Sequence, residues 1–219
     1  LLTTRGAPTK QRYRYVTFFV DHATRYIFPW FHITNNAQDT IKAKEQYEAF
    51  ARSHNRTLCH IHGDNGTFSA AEFRFDALKK GQTQSFCATG AHWQNGIVER
   101  TIGIVTTLAR SMISHAMRQL PEVVTEQFWS FAVRHAVNIL NMMPRSKLYV
   151  CNHQKFTGER PPIKPTDFHV FGCPAYVLDE KLQNDKGGLS KWANRSRLGV
   201  YVGHSTAHAG NVLLIYNPK

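Results

Sequence analysis

Acidic residues are few in this sequence. Only 15 Asp and Glu stand against 27 Lys and Arg in 219 residues, a formal charge of +12 before any of the twelve histidines titrates. That balance favours a polyanionic partner. Cysteine is sparser still. Cys59, Cys87, Cys151 and Cys173 show no C-x-x-C spacing, which excludes a zinc knuckle or a dithiol motif of that kind. Free, mostly buried thiols in a reducing compartment are expected. Long apolar runs are missing: Val16–Val20 is far too short to span a bilayer, so no membrane role is expected. There is no initiator Met and no signal peptide, and Leu1-Leu2-Thr3-Thr4-Arg5-Gly6 reads as an internal cut in a longer polypeptide. A hydrophobic content of 42% excludes a disordered chain. At roughly 100–200 residues per domain, the length allows one main domain and a small appendage, with no need of disulfide staples.

What is present is basic charge interleaved with rings. Gln11-Arg12-Tyr13-Arg14-Tyr15, the run from Arg100 to Arg118, and Lys191-Trp192-Ala193-Asn194-Arg195-Ser196-Arg197 all have this texture, which suits phosphates and bases. After a polar tail, Tyr13–Asp21 predicts a central strand ending on an acid. Tyr26–Ile33 predicts a second strand, placed at an edge or bulged by Pro29. Asn36–His54 predicts an amphipathic helix. Leu58–His62 is a short buried strand running into Gly63-Asp64-Asn65-Gly66. Ser69 with Glu72 predicts a capped helix through Lys80, and Gln82–Ala88 another strand. Helices are expected at about Asn95–Met117 and Thr125–Met143. Prolines 161, 162 and 165 and the segments Cys173–Leu178, Leu198–Val202 and Val212–Tyr216 predict a linker and then short strands. The expected organisation is a polar tail (1–12), an α/β core (13–145), a Pro-rich linker (146–169) and a small all-β appendage (170–219).

Three acids have placements suited to chemistry. Asp21 ends the first predicted strand, Asp64 follows a strand in a glycine-flanked loop, and Glu99 lies in the first turn of the long helix. Strand-end loops are where an α/β sheet gathers functional groups. Three hard oxygen donors at one point make a Mg²⁺ or Mn²⁺ site, and two such ions suit a phosphodiester. Glu99 borders the apolar stripe Val98, Ile102, Val105, Leu108, Ala109, Met112 and Ala116, whereas Arg100, Thr107, Ser111, Ser114 and Arg118 face outward. Alone, Glu99 is equally a favourable charge at a helix N-terminus. Cys59, His60 and His62 lie close in sequence, but on a strand His60 and His62 share a face that Cys59 does not, so zinc is not expected there.

The acids are separated by 43 and 35 residues, and the words around them are Phe-Val-Asp21-His-Ala-Thr-Arg-Tyr, His-Gly-Asp64-Asn-Gly and His92-Trp-Gln-Asn-Gly-Ile-Val-Glu99-Arg. In spacing and wording they resemble the three catalytic blocks of Copia-type (Ty1/copia, Pseudoviridae-like) LTR-retrotransposon integrases. Val170-Phe-Gly-Cys-Pro-Ala-Tyr-Val177, Lys191-Trp-Ala-Asn-Arg-Ser-Arg-Leu-Gly-Val-Tyr-Val-Gly203 and His208-Ala-Gly-Asn-Val extend the resemblance almost to Lys219. The resemblance implies an RNase H-like core, a mixed five-stranded sheet flanked by helices. It implies a metal-dependent polynucleotidyl transferase that trims the element's cDNA ends with water and then joins the 3′-hydroxyl to target DNA by in-line attack at phosphorus. Asp21, Asp64 and Glu99 are then the catalytic, metal-holding triad for two Mg²⁺ or Mn²⁺ ions. It also implies a homo-multimer acting in the nucleus. The family's N-terminal His/Cys zinc module is not in this chain and is expected upstream in the parent polypeptide.

Asn65, Gln94 and Asn95 match polar positions around the family's active-site loop and are expected, with Arg100, Lys191, Arg195 and Arg197, to contact DNA. Trp192 is expected in the core of the β appendage. Element cDNA ends and target DNA are the expected partners; no small-molecule substrate is expected. Two other functions compete: a domesticated or decayed nucleic-acid-binding module without catalysis, and an RNase H-like nuclease. The trailing β segments and the 35-residue spacing argue against the nuclease.

Overall fold

A continuous run of β-formers in Tyr15–Val20, buried on both faces, gives the strand on which the rest is built. In the computed structural model, which describes residues 1–64, 66–88, 95–144, 150–178, 192, 194–210 and 212–218, this strand lies between two others. Strands β1 (Leu2–Arg5), β2 (Tyr15–Val20) and β3 (Ile27–His32) form an antiparallel sheet in that order. Leu2 pairs with Phe18, and Phe18 with Pro29. Pro29 is accommodated because β3 is the edge of this sheet. Leu2–Arg5, expected in a polar tail, is a strand instead: its backbone pairs with β2, and the Thr3 and Thr17 hydroxyls meet at 2.7 Å.

Strands β4 (His60–Gly63) and β5 (Thr83–Phe86) pair in parallel. The Leu1 nitrogen donates to the His62 carbonyl at 2.8 Å, joining β4 to the free side of β1. A notch of about 410 Å³ is lined by Phe19, Val20, Asp21 and His22 on one side and by Leu58, His60, Ile61 and His62 on the other. The start of β4 is therefore level with the end of β2. It follows that β4 runs parallel to β1, with Leu2 beside Asp64. The three-stranded β1-β2-β3 sheet and the two-stranded β4-β5 sheet are thus set side by side, with β4 beside β1, in place of the single five-stranded sheet expected.

Helix α1 (Ala37–Ser53) is capped by Asn36, whose side chain accepts from the Asp39 N–H at 2.7 Å. Helix α2 (Ala71–Lys79) starts later than expected. Ser69 belongs to a 3₁₀ turn and its hydroxyl donates to the Gly66 carbonyl, so Ala70 takes the cap position without a side-chain bond. Helix α3 spans Gly96–Gln119, and α4 spans Trp129–Met142 after a 3₁₀ turn at Glu126–Phe128.

The strand alternation divides the core by face. Val16 and Phe18 point to α3 and α4, packing with Val105, Ala109, Ala132 and Val133. Leu1 and Phe19 point to α1, packing with Ala43, Tyr47, Phe68 and Phe73. The buried Asn141 side chain clamps α4 to β3 by bonding both the N–H and the C=O of Ile27.

The segment expected as a linker is partly core. Helix α5 (Asn152–Thr157) puts Phe156 against Tyr26 at 4.8 Å, and Arg56 donates to the Phe156 carbonyl. Beyond it, β6 (Pro174–Leu178), β7 (Ser196–His204) and β8 (Leu213–Tyr216) form an antiparallel sheet. Phe171, Val200 and Val202 enter the same cluster as α4, so this sheet shares the main core rather than hanging from it.

Candidate functional site

Asp64 follows Gly63 at the end of β4. One carboxylate oxygen, Oδ1, is buried without a hydrogen-bond partner among the described residues. Such an oxygen is costly unless something meets it. Glu99 stands in the first turn of α3, where the helix dipole favours a carboxylate. Both reach Cys87: burial raises the thiol pKa first, and the charges of Asp64 and Glu99 push it further. The Cys87 N–H donates to the Gly63 carbonyl at 3.1 Å, and its sulfur lies 3.7 Å from His62 Nε2. Cys87 and His62 thus meet where β4 and β5 end, within electrostatic reach of Asp64 and Glu99.

Asp21 is not among them. Its Oδ2 accepts from the Thr24 N–H and the Thr24 hydroxyl, both at 2.7 Å, closing the turn between β2 and β3. It follows Phe19 by two residues and therefore faces α1, where its charge adds to burial in raising the Tyr47 pKa. Phe18 is level with Leu2 and hence with Asp64. Asp21 is three residues further along and two strands across, which puts the two Cα atoms on the order of 14 Å apart. Magnesium ligands sit at about 2.0–2.1 Å. Among the described residues, no three His, Cys, Asp or Glu side chains are arranged to hold a metal ion. The described residues thus set Asp21 apart from Asp64 and Glu99. The physical cause is β1, which separates β2 from β4. The donor chemistry of Asp64 and Glu99 fits a divalent ion, but the residues do not fit a three-carboxylate, two-ion site.

The expected DNA-contacting residues divide similarly. Arg100, Arg195 and Arg197 are exposed. Asn95 is buried and its amide donates to the Leu1 carbonyl, so it ties α3 to β1 instead of facing solvent. Asn65, Gln94 and Lys191 lie outside the described residues. Trp192, expected in the core, is 94% exposed, because it precedes β7 instead of lying within a strand. Tyr176, not singled out from the sequence, is 77% exposed on β6. Alternation in Pro-Ala-Tyr-Val-Leu was the signal for it, since β6 alternates exposed and half-buried positions. His60 and His62 share a face as expected, both reaching the Ser85 hydroxyl. No described helix is long and apolar enough to cross a membrane.

No family model matches the chain. Two retrovirus-related Pol polyproteins of Arabidopsis thaliana do. That from transposon RE2 is 27% identical over 171 residues, 75% of this chain and 11% of the polyprotein. That from transposon RE1 is 27% identical over 208 residues, 92% of this chain and 13% of the polyprotein. The chain therefore spans little more than a tenth of the length of these relatives. Among solved structures, the magnesium complex of the HTLV-2 integrase catalytic core matches with a TM-score of 0.51 and 21% identity, covering 70% of this chain and 91% of that one. A simian T-cell lymphotropic virus intasome, solved with PP2A regulatory subunit B56 gamma, matches with a TM-score of 0.56 and 15% identity, covering 98% of this chain and 76% of that one. The chain therefore has the RNase H-like fold of retroviral integrase catalytic cores and is similar in sequence to retrovirus-related Pol polyproteins of plant transposons.

Proposed function

We propose that the chain acts in DNA integration as the DNA-engaging part of a retrotransposon integrase, of Copia type by the words around Asp64 and Glu99. The observation that carries this is the exposure of Trp192, Tyr176, Arg195 and Arg197 on and beside the C-terminal sheet, in a chain of charge +12. Stacking platforms beside backbone-tracking cations bind nucleic acid with little sequence preference. Element cDNA ends and target DNA are the partners. Multimeric assembly is supported by the trimeric HTLV-2 core. The nucleus is the compartment this role requires.

The finer reading is metal-dependent polynucleotidyl transfer: trimming of cDNA ends, then joining of the 3′-hydroxyl to target DNA. The shared electrostatic reach of Asp64 and Glu99 to Cys87 supports it, as does the magnesium bound by the HTLV-2 core. A second reading, a nucleic-acid-binding module without turnover, is favoured by Asp21, which is turned to the other face of the sheet. DNA engagement is common to both readings, and for this chain standing alone the carboxylate geometry favours the second.

A strand-joining assay separates them, using short labelled duplexes with a 3′-hydroxyl end in Mn²⁺, Mg²⁺ or EDTA. Joined product lost in Asp64→Asn and Glu99→Gln would establish transfer that depends on both, and Asp21→Asn in the same assay shows whether the third acid takes part. Bound duplex without product in any lane supports the module.

A further inference from the structure

We infer that the groove between α3 and the chain leaving β1 is a docking site for an acidic peptide segment of a partner protein, one that carries bulky apolar side chains among its carboxylates. None of the residues lining this groove belongs to the C-terminal sheet assigned above to DNA.

The period of α3 builds the groove, which has a volume of about 680 Å³. Ala109, Ile113 and Met117 recur every four residues and form one row along the helix; Thr106, Arg110, Ser114 and Arg118 form the next row out. The inner row sits on the main core together with Val16, Trp129 and Val133. Ile113, Met117 and Trp129 are only half-buried, so the floor is apolar and open. Residues 4–7, at the end of β1, make the opposite wall. That wall is fixed to the floor. The Trp129 indole N–H donates to the Ala7 carbonyl, and Gly6 lies against the ring. A groove already formed loses little to ordering when it is filled.

Charge selects the occupant. Arg5 on the β1 wall and Arg110 and Arg118 on α3 are exposed. Among the described residues no acid forms an ion pair with any of the three, and Glu126 is the acid in the lining. Arg110 and Arg118 stand about 12 Å apart along the helix axis. Guanidiniums take carboxylates in bidentate pairs. Cations on both walls of an apolar floor therefore complement carboxylates interspersed with apolar side chains. Duplex DNA would meet the arginines with phosphate and leave the floor empty. A second copy of this chain, at +12, would be repelled.

The test is fluorescence anisotropy with a fluorescein-labelled pool of peptides about twelve residues long, every position drawn from Asp, Glu, Leu, Phe and Trp. Wild type should bind this pool about tenfold more tightly than a control pool with Ser in place of the apolar residues. Arg110→Glu combined with Arg118→Glu should weaken binding about tenfold, and Ser114→Trp, which fills the groove without changing its charge, should do the same. The same charge reversal at exposed positions outside the groove, Lys155→Glu with Arg160→Glu, should change binding by less than about twofold. Circular dichroism melts establish that each variant folds, and should Ser114→Trp not fold, the arginine pair decides. No binding of the pool, equal binding of the two pools, equal loss in the outside pair, or undiminished binding by folded Ser114→Trp would overturn the inference. So would a groove pair that loses a labelled DNA duplex instead of the pool, which would assign these arginines to nucleic acid.

Discussion

Replacing Lys44 with methionine should cost about 3 kcal/mol. Lys44 is fully buried between α1 and α2. Its ammonium pairs with Asp76 and, at 3.6 Å, with Glu48; it donates to Gln82 at 2.9 Å and lies 5.2 Å from the Phe73 ring centre. Removing one member of a buried pair costs about 3–5 kcal/mol, because the partner's charge is stranded. Lys80 holds Asp76 at 3.1 Å and Glu48 at 3.3 Å, so the lower end of that range applies. In a chain of this size the loss corresponds to roughly 6–12 °C in melting temperature. The effect should shrink in acid. Burial alone would raise the Asp76 carboxyl, but hydrogen bonds from Lys44 and Lys80 outweigh it and hold the pKa below its ordinary value. A depressed carboxylate contributes stability above its unfolded pKa of about 3.9 and loses that contribution as pH falls through the folded value. Urea unfolding of both proteins at pH 7 and pH 3 measures this. A cost below about 1 kcal/mol at pH 7, or one as large at pH 3, would refute the reasoning.

Other outcomes follow from the packing. His135 is buried between α4 and β7, and burial, then repulsion from His204, lowers its pKa to about 4. The unfolded chain then binds the proton first, so stability should fall between about pH 6.5 and pH 4, by up to about 1.4 kcal/mol per pH unit from this residue. Melts of His135→Asn across that window should be flatter, and an unchanged slope would contradict the assignment. Gly6→Ala should destabilise by about 1–3 kcal/mol in a denaturant melt, because a Cβ there meets the Trp129 ring at 2.5 Å. Trp192→Ala should weaken duplex binding by about 1–3 kcal/mol in fluorescence anisotropy, while Arg195→Ala should reduce the salt slope by about 0.9. No change in either variant would remove the C-terminal sheet from the DNA-binding surface.

Much of the fold was legible because its signals are local. The apolar period of α3 and the run of β-formers in Tyr15–Val20 need only neighbouring residues to be read, and both stand close to where expected. What was not legible depends on pairing across the chain. Leu2–Arg5 looks like a polar tail, since only its bonds to β2 make it a strand, and its presence sends Asp21 away from Asp64. Phe156 sits among proline-rich sequence, so its stacking on Tyr26 has no local sign. Trp192 looks apolar in isolation, but its place just before β7 leaves it open. The placements of Asp64 at a strand end and Glu99 at a helix start were legible. The turn that Asp21 closes with Thr24 was not, because sequence spacing does not record which face of a sheet a residue occupies.

The most direct test of the account is a titration of a fluorescently labelled DNA duplex with this chain at increasing KCl. The account predicts binding that weakens linearly with log salt, with a slope set by several phosphate contacts, and weakens further in the Trp192→Ala and Arg195→Ala double variant. Absence of binding at low salt, or binding indifferent to both salt and the double variant, would contradict it.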